Sequence, residues 1–272
     1  MVSGNAFLTV NDAVMKWMAA GYPVGQIVFL RGMFLLGLVA TVAVGWSGPQ
    51  ALRVHNLRAQ SLRALLTVAS TWMFVGGLAL MPLADAIAVT FAAPLFVTAF
   101  APVALGEKVG WQRWLAVVAG FVGVVVMLRP GAALRWEVLL PLGAALTYGL
   151  AQIITRQLVA TESSLGTMAF TMFSVTVVAA LTAPFGWQTP TACDVALLAV
   201  AGLLLGSSHL LVIEAFRWAE ASVAAPFQYS AVVWAVLLGV VVWGDVPDIW
   251  IGSGATLVIA SGLYIWHRET RL

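Results

Sequence analysis

The chain has 272 residues, 62% of them hydrophobic and 9% charged, with a mean hydropathy of +0.99 and a net charge of +2. A soluble domain carries about 25% charged residues, so this composition excludes a water-soluble globular protein and requires an integral membrane protein. The apolar segments do not alternate with polar positions as barrel strands do, which leaves helices, whose backbones satisfy themselves in lipid.

The first segment, about residues 3–20, holds Asp12 and Lys16 inside the stretch NDAVMK. It lacks the basic lead and small-residue cleavage site of a signal peptide, so it is read as a structural helix. Charge-free runs follow at 32–52, 64–84, 86–106, 114–128, 138–155, 163–193, 195–213, 221–244 and 249–267. Each is close to the roughly 20 residues a helix needs to cross a bilayer. The expected fold is therefore all-α and integral to the membrane, with ten transmembrane helices.

With the N-terminus inside, the inner loops receive Arg53, Arg58, Arg63, Lys108, Arg113, Arg156, Arg217, Arg268 and Arg271. The outer side receives Arg129 and Arg135. That asymmetry follows the positive-inside rule and predicts two cytoplasmic termini in a bacterial inner membrane. Topology thus accounts for the basic residues, and no nucleic-acid partner is expected. Cys193 is the single cysteine, and His55, His209 and His267 lie far apart in the chain, so neither a disulfide nor a metal site is expected.

Two stretches resemble each other. Each opens on Ala-acid-Ala (84–86 and 219–221), reaches Gly-acid (Gly106-Glu107 and Gly244-Asp245), and ends on a glycine-spaced apolar helix. A shift of about 140 residues also lays Leu8, Asp12 and Lys16 on Tyr148, Gln152 and Arg156, each trio on one helix face. The unit is five helices, 1–130 and 131–272, together one transport domain. Five is odd, so the second half enters the membrane inverted, a transporter plan with a site near the midplane.

These motifs, with Lys16 in the first helix and Arg31 in the second, resemble the EamA group of the drug/metabolite transporter superfamily over essentially the whole chain. The ending PFQYSAVVWAVLLGVVVWGDVPDIWIGSGATLVIASGLYI is especially similar to bacterial members, including YddG-type aromatic amino acid exporters. The resemblance implies ten helices, cytoplasmic termini, metabolite or drug export, and a central cavity lined by helices 1, 3, 4, 6, 8 and 9. The first half has Glu107 where the second has Asp245, which keeps the acid.

The candidate pathway residues are Asp12, Lys16, Trp72, Tyr148, Gln152, His209, Gln228, Tyr229 and Trp234, with Arg31 as a charge partner. At a rise of about 1.5 Å per residue, Asp12 lies roughly 13 Å and Arg31 roughly 10 Å below the outer surface. An uncompensated charge in hydrocarbon costs at least about 2.5 kcal/mol, so these groups pair or face water; a brace between helices 1 and 2 competes with a pathway role. Trp46, Trp111, Trp136, Trp187 and Trp250 fall at segment ends as an interfacial belt, whereas Trp72 and Trp234 lie mid-segment, where an indole N–H needs a partner. Either they pack between helices or their rings line a cavity. Tyr148 and Gln152 share a face, and a Gln amide in lipid must be satisfied. Gln228 and Tyr229 follow Pro226, and Pro94 sits in helix 4; both prolines interrupt helical bonding. His209 reads as a cavity residue, a proton carrier or a hydrogen-bonded interior histidine. The GSSH stretch at 206–209 shows no oxyanion device, so hydrolase chemistry is not expected. GFVG (120–123) and GSGA (252–255) read as close helix packing.

The sequence predicts a transporter and not an enzyme, without cofactor or metal, acting as a monomer. It exports a small metabolite by alternating access, amino acids first and aromatic or hydrophobic ones favoured, with the proton as a candidate coupling ion. A drug exporter or amphiphile flippase on the same fold is the alternative, and an intramembrane enzyme the remote one.

Overall fold

A computed structural model describes residues 2–43, 45, 48–105, 110–128, 136–158, 161–218, 230–246 and 248–269. Among them there are helices and turns but no strand. The helices are α1 (Val2–Ala19), α2 (Val24–Val42), α3 (Leu57–Leu80), α4 (Leu83–Thr90), α5 (Ala93–Leu105), α6 (Trp111–Leu128), α7 (Leu139–Leu158), α8 (Ser164–Ala180), α9 (Ala192–Trp218), α10 (Ser230–Leu238) and α11 (Ile249–Glu269). A π turn, Gly239–Trp243, extends α10. Five stretches are long and apolar enough to cross a membrane: Val24–Val42, Leu57–Leu80, Leu83–Ala104, Trp136–Thr155 and Ala192–His209. Shorter apolar helices accompany them, and the chain is a multi-pass membrane protein.

Local chemistry sets several boundaries. The Asn56 side chain accepts from the Ala59 N–H at 3.1 Å and caps α3. The Ser163 hydroxyl accepts from the Gly166 N–H at 2.9 Å and caps α8. Gly244, at φ +70°, ends α10 in a left-handed conformation that other residues rarely adopt. The span read as one helix over 86–106 is broken: α4 stops at Thr90 and α5 begins at Ala93, just before Pro94. Proline has no N–H to continue the ladder, so the break falls there. The run 163–193 is helical only to Ala180; a loop follows to Thr191.

Packing joins the two ends of the sequence. The main core combines Met15, Ile27 and Leu78 with Val175, Leu198 and Val258. Helix α3 runs along α7, where the Ser70 hydroxyl donates to the Ala144 carbonyl at 3.0 Å. Helix α2 lies on α8 and α9. The two glycine-rich stretches meet each other: a Cβ on Gly123 would stand 2.7 Å from the Gly254 carbonyl, and one on Gly254 would stand 2.5 Å from the Gly123 carbonyl. Helices α6 and α11 therefore cross backbone to backbone.

Candidate functional site

Polar side chains collect inside this apolar shell. On α1, Asn5, Thr9, Asn11 and Asp12 are all buried. The Asn5 amide donates to the Ser230 hydroxyl on α10 at 3.0 Å, tying the start of the chain to its second half. Asp12 and Arg31 are each 8% exposed. They act on each other electrostatically, yet no guanidinium nitrogen lies within 4.0 Å of the carboxylate. Asn11 stands between them. Its amide donates to Asp12 Oδ1 at 2.9 Å, and its carbonyl accepts from Arg31 Nη1 at 3.4 Å. Arg31 Nε has no acceptor among the described residues. The pair is thus a relay through an amide, and not a direct salt bridge.

Lys16 does not join that relay. Its ammonium donates to the Met81 carbonyl at the end of α3 at 2.6 Å and lies 3.9 Å from the Asp245 carboxylate. It also sits 5.4 Å from the centre of the Trp243 ring, a cation–π contact. Asp85, 1% exposed at the start of α4, adds its charge to the same neighbourhood. One acid of each sequence half therefore converges on Lys16. Beside it a cavity of about 410 Å³ is lined by Trp17, Tyr22, Asp194 and Trp243. The Tyr22 hydroxyl donates to Asp194 at 2.6 Å, and Gln26 exchanges two bonds with the Gln188 backbone, at 2.5 and 2.9 Å. These contacts draw the ends of α1, α3, α9 and α10 together.

A second group of polar side chains lies on α3, α7 and α9. Tyr148 is 48% exposed and accepts from the Gln152 amide at 2.8 Å, one turn along α7. Arg63 of α3 acts electrostatically on Tyr148. His209 on α9 holds Nδ1 2.9 Å from the Leu205 carbonyl, and both Arg31 and Arg63 act on it. Trp72 is partly buried against the main core. Trp234 is partly buried too, and its indole N–H is enclosed with no acceptor among the described residues. Among the described residues no cluster of His, Cys, Asp or Glu could hold a metal.

Several expected features fall outside the described residues: Gln228, Tyr229, Pro226, Gly106-Glu107, Ala219-Glu220-Ala221, Trp46 and the side chains of Arg156 and Arg217. Three contributors escaped the sequence reading. Asn11 was visible only as the neighbour of Asp12. In the sequence Asp245 marks the repeat and carries no sign of its partner Lys16. Arg63 has the sequence signature of a basic flank, but it is half-buried and hydrogen-bonded to α7 and α8.

Comparison with known proteins adds relatives. The profile of the EamA-like transporter family matches residues 1–129 and again 135–266. The chain is 29% identical over 264 residues to an S-adenosylmethionine uptake transporter of Rickettsia prowazekii, covering 97% of this chain and 90% of that protein. It is 30% identical over 275 residues to a riboflavin transporter of Rhizobium johnstonii, covering 100% and 90%. It is 24% identical over 265 residues to a pseudopaline exporter of Pseudomonas aeruginosa, covering 93% and 89%. A solved crystal structure shares the fold with a TM-score of 0.65 at 17% identity, over 98% of this chain and 97% of that one.

Proposed function

We propose, for a chain that belongs to the EamA-like transporter family, that it is a bacterial inner-membrane carrier exporting small metabolites by alternating access. The chain is a transporter and not an enzyme. Amino acids are the proposed cargo, those with aromatic or hydrophobic side chains first. Ten spans in two inverted halves, cytoplasmic termini and action as a monomer belong to the same reading. The two segments matched by one family profile support the halves.

One observation carries the proposal: buried polar groups run through the interior, and pseudo-equivalent positions differ in exposure. Asp12 is buried, and Lys16 ties the end of α3 to Asp245. Gln152, the counterpart of Asp12 under the 140-residue shift, and Tyr148, the counterpart of Leu8, are exposed. A static all-apolar bundle has no use for that polar interior, whereas a carrier caught with one end closed requires such asymmetry. Tyr148 and the enclosed, unpartnered Trp234 indole support a ring-bearing cargo.

A second reading has its own support. The relatives named for S-adenosylmethionine and riboflavin suggest a planar nitrogen heterocycle as cargo. The deciding experiment is flux in proteoliposomes with labelled phenylalanine, S-adenosylmethionine and riboflavin, with and without a proton gradient. A toxic amphiphile serves as the comparison for the drug-exporter alternative. Amino-acid flux raised by the gradient upholds the reading with proton coupling. Riboflavin flux alone replaces the cargo, and no flux of any of them removes these cargo classes.

A further inference from the structure

Arg63 lies six residues, or about 9 Å, inside the N-terminal end of α3. Three threonines fix its plane. Nε donates to the Thr155 hydroxyl on α7 at 2.6 Å, and Nη1 donates to the Thr171 hydroxyl and the Thr167 carbonyl on α8. None of these bonds uses Nη2. The carboxylate ion pairs among the described residues are Lys16–Asp245 and His55–Glu162, so Arg63 has no carboxylate partner among them. The group that acts on it electrostatically is the Tyr148 phenol, on α7 and 48% exposed. One turn back, Gln60 is completely buried and donates its amide to the Thr167 hydroxyl at 2.8 Å. Its carbonyl oxygen has no donor.

A cation within a membrane protein normally has a counter-charge or faces water. Here the guanidinium is held by two neutral hydroxyls and a backbone carbonyl with one edge left over, one helical turn from an orphan acceptor. A planar fork fixed in advance loses little freedom when it meets a carboxylate, and such charge-assisted pairs are about twice as strong as neutral ones. We propose that Arg63 is the carboxylate-binding residue of the pathway and that Gln60 Oε1 accepts from an adjacent ammonium. The cargo class is then an α-amino carboxylate whose side chain extends past Tyr148. This rests on the carrier reading and narrows it, because riboflavin has no carboxylate and S-adenosylmethionine has one.

The test uses binding by purified full-length protein, measured calorimetrically, so that it is independent of flux. Phenylalanine is compared with phenethylamine, which lacks the carboxylate, and S-adenosylmethionine with its decarboxylated form. The expected result is at least tenfold tighter binding of each acid than of its decarboxylated partner in the wild type. Arg63→Gln removes that difference and leaves the weak binding of the amine; Arg63→Lys retains part of it. Equal binding of acid and amine by the wild type overturns the proposal, even where Arg63→Gln fails to fold. Binding of riboflavin alone also overturns it while the carrier reading stands. Acid-selective binding that depends on Arg63, with no flux in proteoliposomes, upholds this site and removes the carrier reading instead.

Discussion

Asn11 shows how a neutral side chain can govern two charged ones. Asp12 and Arg31 are both buried but do not touch; the amide between them donates to one and accepts from the other. Removing one partner of a buried polar network costs the desolvation of whatever is left bare, about 1–3 kcal/mol and more for charges. Asn11→Leu is therefore expected to destabilise the detergent-solubilised protein more than Asp12→Asn, which keeps shape and hydrogen bonding while removing charge. Thermal unfolding of the two variants, with transport in parallel, checks this. Asp12→Asn should fold near normally and transport poorly if the carboxylate serves the pathway. Full transport by Asp12→Asn leaves it a brace. The sequence exposed Asp12 and Lys16 because both lie on one face of the first helix. It could not expose their partners, since Met81 and Asp245 meet Lys16 only after the chain has folded back on itself. Arg63 was hidden for another reason: a basic residue near the end of an apolar run has the same signature whether it flanks the membrane or turns inward.

Among the elements, the glycine-spaced helices were legible and the breaks were less so. Small residues at GFVG and GSGA announced close packing, and the structure brings these two stretches against each other. Gly254→Val is expected to force α6 and α11 apart, because the added carbons meet the backbone carbonyl of Gly123, which cannot turn aside, as well as Met127. Lower yield of monodisperse protein and a clear fall in melting temperature are the expected outcomes. A variant as stable as wild type removes this account of the crossing. The cap of α3 offers a pH test. Glu162 accepts from the His55 and Asn56 N–H groups at 2.8 and 2.6 Å, with the His55 ring 3.6 Å away. Burial works to raise this carboxyl, but those donors and the His55 charge outweigh it and hold it below its ordinary 4.5. Its contribution to stability is thus present above pH 4.5 and is lost as the pH falls through the lowered value. The melting-temperature gap between wild type and Glu162→Gln should be open at pH 7 and close in acid; a gap that widens in acid contradicts the sign. No periodicity foretold this contact, which joins the start of α3 to the loop before α8.

For the whole molecule, hydropathy and charge spacing made the helical membrane fold readable, because lipid leaves a chain few alternatives. The interleaving of the two halves was not readable: α1 packs on α9 and α10, and α3 on α7, so each half completes the interior of the other. The proposed orientation places the start of α9 outside, and Cys193 is exposed there. An impermeant thiol reagent should label it in intact spheroplasts; labelling only after lysis reverses the orientation.

Among the described residues Lys16 gathers Met81, Asp245 and Trp243 at one end of the molecule, and that position constrains the kinetics. In the proposed alternating-access reading, where this end is the closed one, Lys16→Met should weaken it; about 1.4 kcal/mol shifts the balance between the two facing states tenfold. Half-saturation concentrations on the two faces then move in opposite directions, and exchange of cargo accelerates or slows. Yet for a carrier running without an energy source, microscopic reversibility ties influx and efflux together, so Vmax/KM must change by one common factor in both directions. The lysine can set how fast equilibrium is reached and from which side cargo is best captured, but not where equilibrium lies. If Lys16→Met alters the steady accumulation ratio under an imposed proton gradient, the residue takes part in coupling that gradient to cargo, and closure is only half of its work.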